Sequence, residues 1–463
     1  MLPTAGHTPD KAKPPEYLLE IVHFLCTTRF EDLPAPVIDR CKRLIADTFG
    51  VVTAGNQTEE LKALAAGYLK DARPGPSWVI GTPHRAAVRD AGFLNGVAST
   101  FHDFDEGNTV ASAHPGSQMV PAAIAAAQAF GVSGRDFMLA VVMAYEACAR
   151  VSMASKMRVS VPQHGNVGVI GSAVAAAHMM RFDQDRMRHT INAAAMMAMT
   201  ANRQAMLDEA TTRNVFSGHC ALAGLIAMQM IEAGFTGQRD GIGYTYSTVI
   251  ADGFDPARMV AGLGTDWLMT KGYFKLHPTG RFSHAAIDAF QAALATVPAG
   301  SIKAADIERI DVRAFQLASL LSGRKITTSF GAKFSIPFAL ATILVHGRSG
   351  VDCFDIEAVR NPEIQALTAK VHVVEEPAYT SQYPEKHLCD VAIRLDDGRT
   401  IEGHCEIMKG EVENPHRPED VEKKFFDLTL PVWGADRAEK LYAGLLSLES
   451  VPDMRTFGKD FAL

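Results

Sequence analysis

Five stretches, at 120–130, 134–151, 168–180, 187–202 and 218–233, consist mostly of Ala, Gly, Val, Met and Leu, and each is bounded by Gly, Pro or Asp clusters. Their lengths suit helices rather than strands. Side chains this small let helix axes approach closely and bury most of each helix, so the stretches commit this part of the chain to a compact helical bundle. Helical patterning starts near Glu16. Residues 1–15, with prolines at positions 3, 9, 14 and 15, read as a flexible tail.

The texture changes after Gly264. Ile310, Val312 and Ala314 alternate with Asp311 and Arg313, and Val391, Ile393 and Leu395 alternate with Ala392 and Arg394. The second run meets Asp397-Gly398 and continues over 399–407, a hairpin pattern, while Val371 and Val373 suggest another strand. Helices are expected at 283–295 and 335–346 among these strands, and again at 418–428 and 435–448. A chain of 463 residues exceeds what one core usually serves. The expected architecture is mainly α: a large helical domain from residues 16–267 and 411–463, interrupted by a smaller α+β domain at 268–410.

Lys and Arg number 45 against 52 Asp and Glu, for a net charge of −7, and no block of like charge stands out. That balance disfavours a nucleic-acid or anionic-membrane partner but leaves room for a local cationic pocket. No membrane-spanning run and no signal-peptide core is read. The seven cysteines are dispersed singly, as expected of reduced thiols in the cytoplasm. They also argue against an iron–sulfur cluster, which needs convergent cysteines.

Four segments could carry chemistry. The first holds His102, Asp103, Asp105, Glu106 and His114 on an expected inter-helix loop, where backbone can gather titratable groups. Its bland alternative is a solvated loop whose carboxylates cap helices. Mg²⁺ held by this acidic cluster ranks low, because no second acidic motif accompanies it. The second places His164 just before a Gly-rich helix, where positive potential favours a neutral imidazole or a bound carboxylate, although a structural cap is the commoner reading of this segment taken alone. The third puts Arg213 before another helix, fit to clamp a carboxylate or to make a structural ion pair. In the fourth, Lys275, His277, Arg281 and His284 surround a Pro/Gly turn at the expected domain junction, a setting for an anionic small molecule. Zinc on His277 and His284 is disfavoured, since no matching Cys/His set accompanies them.

Together these segments resemble the MmgE/PrpD family, which includes 2-methylcitrate dehydratase, cis-aconitate decarboxylase and iminodisuccinate epimerase. The likeness runs through Ala46-Asp47-Thr48-Phe49-Gly50-Val51, the acidic and His114-Pro115 segment, Ala144-Tyr145-Glu146, the His164 helix entry, Phe274-Lys275 with Pro278 and His284, and Lys333-Phe334-Ser335-Ile336-Pro337-Phe338. The resemblance implies an α+β lid over a helical domain, a homodimer, and an inter-domain site that needs no metal or organic cofactor. It carries catalytic roles to Asp103, His114, His164, Lys275 and His284; the cationic segments add Arg213, His277 and Arg281 as substrate-binding residues. Two positions depart from the family pattern: Arg213 stands where many relatives have Lys, and Phe338 where many have Tyr. Arginine cannot readily act as an acid or base, and phenylalanine has no proton to donate.

The family's reactions build negative charge beside a carboxylate, which fixed cations in a closed site can stabilise. His164 and His284 lead as base and acid, with Asp103 orienting His114. The expected activity is loss of water from a small hydroxy-polycarboxylate, as in 2-methylcitrate dehydratase. An epimerase, a cis-aconitate decarboxylase-like reaction and a catalytically dead carboxylate-binding scaffold are the alternatives.

Overall fold

The computed structural model describes residues 13–72, 74–162, 164–199 and 201–458, so most of the expected tail lies outside the described residues. The chain is mainly α. Its longer N-terminal helices are α1 (Glu16–Thr27), α2 (Ala35–Gly55), α3 (Glu59–Tyr68), α4 (Val88–Phe101), α5 (Pro115–Phe130), α6 (Gly134–Ala154), α7 (Val167–Met179), α8 (Gln184–Met196) and α9 (Val215–Glu232). Their cores are as tight as the composition demands. A Cβ on Gly96 of α4 would lie 2.7 Å from the Cα of Gly218 in α9, so the two backbones nearly touch there. On α6, Glu146 and Arg150 pair at 3.0 Å inside the core. Arg150 donates to the carbonyls of Ala261 and Asp266, and Glu146 accepts from the Met269 amide, so the Ala144-Tyr145-Glu146 motif anchors the segment ahead of Lys275.

Two of the early expectations need revising. The helix expected over 187–202 stops at Met196. Beyond it, the Met199 amide donates to the Gly165 carbonyl and the Arg203 amide to the Ser160 carbonyl, and these non-local bonds replace the helical ones. Two helices, 134–154 and 211–232, are also long and apolar enough to cross a membrane, although no such run was read from the sequence. Both are packed largely within the helical core.

After these helices come α10 (His284–Leu294) and β1 (Ile307–Ala314), then α11 (Ile336–His346), β2 (Val371–Glu375), β3 (Cys389–Leu395) and β4 (Thr400–Cys405). The strands form one sheet in the order β4-β3-β1-β2. The β3–β4 pair is the hairpin expected at Asp397-Gly398, and β2 joins β1 in parallel, as a connection long enough to contain α11 permits. β1 alternates buried Ile310, Val312 and Ala314 with outward Arg313, while α10 and α11 contribute to the same core. The last helix, α12 (Pro418–Leu446), is broken by Gly434 at φ 71°, where two helices were expected.

Two large clusters of buried side chains result. One runs from Tyr17 to Met269 and resumes at Phe425–Phe457. The other spans Ala285–Met408. α12 packs along α2, and Lys424 meets Asp47 there at 2.6 Å with both side chains buried.

Candidate active site

The loop between α4 and α5 carries the first acidic segment, and a short antiparallel pairing fixes its position: Gly107 faces Tyr273 and Asn108 faces Gly272. This ladder sets the carboxylates beside the cationic segment. It also requires small residues, since a Cβ on Gly272 would lie 2.8 Å from both Arg40 and Glu106. Asp103 sits in the left-handed region at φ 49°, a conformation costly for a non-glycine residue and frequent at functional sites.

Lys275 is 1 % exposed, and its ammonium has an acceptor for each proton: the Asp103 carbonyl at 2.9 Å, Asp103 Oδ2 at 3.0 Å and Asp105 Oδ1 at 3.5 Å. Arg213, on a short turn leading into α9, reaches Asp103 Oδ1 at 3.2 Å. Burial alone would raise both carboxyls. Lys275 and Arg213 outweigh it at Asp103, and Lys275 with His114 does so at Asp105, holding Asp105 well below the usual carboxylate range.

Asp105, rather than Asp103, is the carboxylate beside the histidines. Its Oδ2 accepts from Ser117 at 2.7 Å, lies 3.2 Å from His114 Nδ1 and 3.7 Å from His164 Nε2. His114 Nδ1 is also 2.8 Å from the Glu106 carbonyl, which can only accept, so Nδ1 carries a proton. The two imidazoles stack with centroids 4.2 Å apart. His164 Nε2 is buried and lacks a hydrogen-bond partner among the described residues. Burial, reinforced by His114, pushes the His164 pKa down to about 3, so the ring is neutral at physiological pH.

These groups open onto a cavity of about 270 Å³ whose wall includes Asp103, His114, His164, Arg213, Lys275 and Arg281. The volume suits a small metabolite. Arg281 lies over the Tyr273 ring at 4.0 Å and pairs with Glu411 at 2.6 Å. His277 and His284 do not line the cavity. His284 stands behind Arg281, with Nδ1 3.2 Å from that guanidinium and Nε2 3.3 Å from the Thr279 carbonyl. Phe338 is buried against Phe354 in the core around the sheet, away from the cavity wall.

Sequence reasoning passed over Asp105 as the imidazole partner and did not single out Arg203, Tyr383 or Glu411. Asp105 was visible within the acidic triplet, but nothing local marked the others. Among the described residues, Asp105, His114 and His164 are also the one group whose ligand atoms lie close enough, within 4.8 Å, to hold a metal ion. Lys275 at 3.5 Å from Asp105 puts a fixed positive charge against that use.

Residues 19–247 match the MmgE/PrpD N-terminal domain and residues 277–449 the MmgE/PrpD C-terminal domain. The chain is 24% identical to a cis-aconitate decarboxylase-like protein of Aspergillus oryzae, covering 94% of this chain and 95% of that one. It is 26% identical to the cis-aconitate decarboxylases of Mus musculus, over 90% of this chain and 87% of the relative, and of Homo sapiens, over 90% and 88%.

Proposed function

The chain belongs to the MmgE/PrpD family, and from that premise we propose that it is a cofactor-independent lyase acting on a small polycarboxylate, with loss of CO₂ from a cis-aconitate-like acid as the leading reaction. The observation that carries this reading is the convergence of Lys275, Arg213, His114 and His164 on one small cavity. The names of the similar proteins favour decarboxylation over the 2-methylcitrate dehydration first expected.

In this reaction the bond from carbon to the departing carboxylate breaks, its electron pair forms a new double bond to the adjacent carbon, and the pair of the original double bond shifts to that bond's far end. The carbon at the far end of that bond takes a proton, and CO₂ leaves. Lys275 and Arg213 stabilise the negative charge that develops, at positions fixed before substrate arrives. His114, held by Asp105, is the proton donor. His164 stays neutral, so it does not compete for the substrate's carboxylates. Residues 268–410 serve as a lid over the helical body, two copies of the chain pair as a homodimer in the cytoplasm, and His284 acts by positioning Arg281.

A second reading, loss of water, is favoured by the neutral His164 beside His114, a base and an acid on one wall. The test is to incubate the purified protein with cis-aconitate, 2-methylcitrate and tartrate while following CO₂ release, absorbance of a new conjugated double bond and deuterium uptake from D₂O. CO₂ from cis-aconitate supports the leading reading. New absorbance without CO₂ moves the assignment to a dehydratase, exchange alone to an isomerase, and silence across the panel to a binding scaffold.

A further inference from the structure

We infer that Arg203 and Tyr383 form a second carboxylate subsite on the wall of this cavity, which selects substrates carrying two or more carboxylates. The inference rests on the proposed function and identifies which part of the substrate this wall receives.

Of the cations lining the cavity, Lys275 is shared by Asp103 and Asp105, Arg213 pairs with Asp103, and Arg281 pairs with Glu411. Arg203 lines the same cavity and has no carboxylate within ion-pair distance among the described residues. Its Nε donates to the Val159 carbonyl at 2.8 Å, which fixes the side chain while leaving its Nη groups without a charged partner. A half-buried guanidinium without a counter-charge is costly, and a bound carboxylate would offset that cost with paired, charge-assisted hydrogen bonds.

Tyr383 lines the cavity with it. Its ring stacks on Phe315 with centroids 5.0 Å apart and planes 11° apart, which holds the phenol in place. Its hydroxyl has no protein hydrogen-bond partner among the described residues, so it is free to donate to a carboxylate oxygen. The backbone keeps this subsite in register with the reacting groups. The Arg203 amide is bonded to the Ser160 carbonyl and the Met199 amide to the Gly165 carbonyl, next to His164. One substrate carboxylate would thus lie at Arg213, within the field of Lys275, and a second at Arg203 and Tyr383.

The experiment is calorimetric titration of the full chain with cis-aconitate, maleate and crotonate, as tri-, di- and monocarboxylate probes. Wild type is expected to bind the first two more tightly than crotonate. Arg203→Gln should weaken maleate and cis-aconitate about 10- to 100-fold, the range of one charged hydrogen-bonded contact, while leaving crotonate unchanged. Arg203→Lys should recover part of that loss, and Tyr383→Phe should cost up to about tenfold. Wild-type affinity for maleate in Arg203→Gln, or an equal loss for crotonate, would overturn the subsite and leave the proposed function standing. Failure of wild type to bind any of the three probes would remove both.

Discussion

Asp103 and Asp105 differ by two positions and have different partners. The left-handed backbone at Asp103 turns its carboxylate toward Arg213 and Lys275, while Asp105 meets Lys275 and the two imidazoles. Residue spacing cannot reveal such a turn, so His114 was assigned to Asp103 from sequence, whereas the grouping of His114, His164, Lys275 and Arg213 was legible and that of His277 and His284 with them was not. Asp105→Asn should lower kcat about 10²- to 10³-fold with a smaller change in KM, because it removes the charge that holds His114 ready to donate. A wild-type pH–rate profile in that variant would contradict the assignment. Lys275→Met should lose activity and about 3–5 kcal/mol of stability, since it leaves two buried carboxylates with less compensation, which calorimetric unfolding would register.

The histidines also make stability depend on pH. Burial holds the folded-state pKa values of His164 and His277 at about 3, each lowered from the ordinary 6.5. Between those values the unfolded chain binds more protons than the native one, so acid favours unfolding. Stability should therefore be full above about pH 6.5 and fall progressively toward pH 3. In urea titrations at pH 7, 6 and 5, His164→Gln should show a shallower decline than wild type, and an unchanged slope would count against a neutral buried His164.

At the scale of elements, the sequence conveyed the helices best where the small-residue pattern ran unbroken. α5, α6, α7 and α9 each fall within a few residues of expectation, as do the strands of the sheet. It failed beyond Met196, where Ala-rich sequence continues but long-range backbone bonds to residues 160 and 165 draw the chain out of helix. Local propensity carries no record of such partners, and that is why Arg203 went unnoticed. The crossing of α4 and α9 gives a direct test of packing. Gly96→Ala puts a methyl where the Gly218 backbone already stands, so it should cost about 1–3 kcal/mol, read as a lowered Tm with activity per folded molecule retained. No loss would mean that the helices can slide apart freely.

For the whole molecule, the two cores were foreshadowed by the change of texture after Gly264, but the contacts that join them were not. Glu411, just past the sheet, accepts from Thr109 at 2.8 Å and from Arg281 at 2.6 Å, tying the acidic loop, the cationic segment and the chain beyond β4 together at the cavity. Glu411→Gln should leave the fold intact, weaken this tie and raise KM more than it lowers kcat. Equal KM values in the two proteins would show that the tie has no part in substrate capture.

The buried pair between Asp47 and Lys424 links the second helix to the last one. A ribosome delivers the acid early and the amine only after the whole intervening α+β segment has been made. Until then the groove along α2 stands uncovered, with Asp47 lacking its amine. The helical body therefore cannot finish assembling before α12 is made, and a chain truncated before α12 should depend on chaperones to stay in solution.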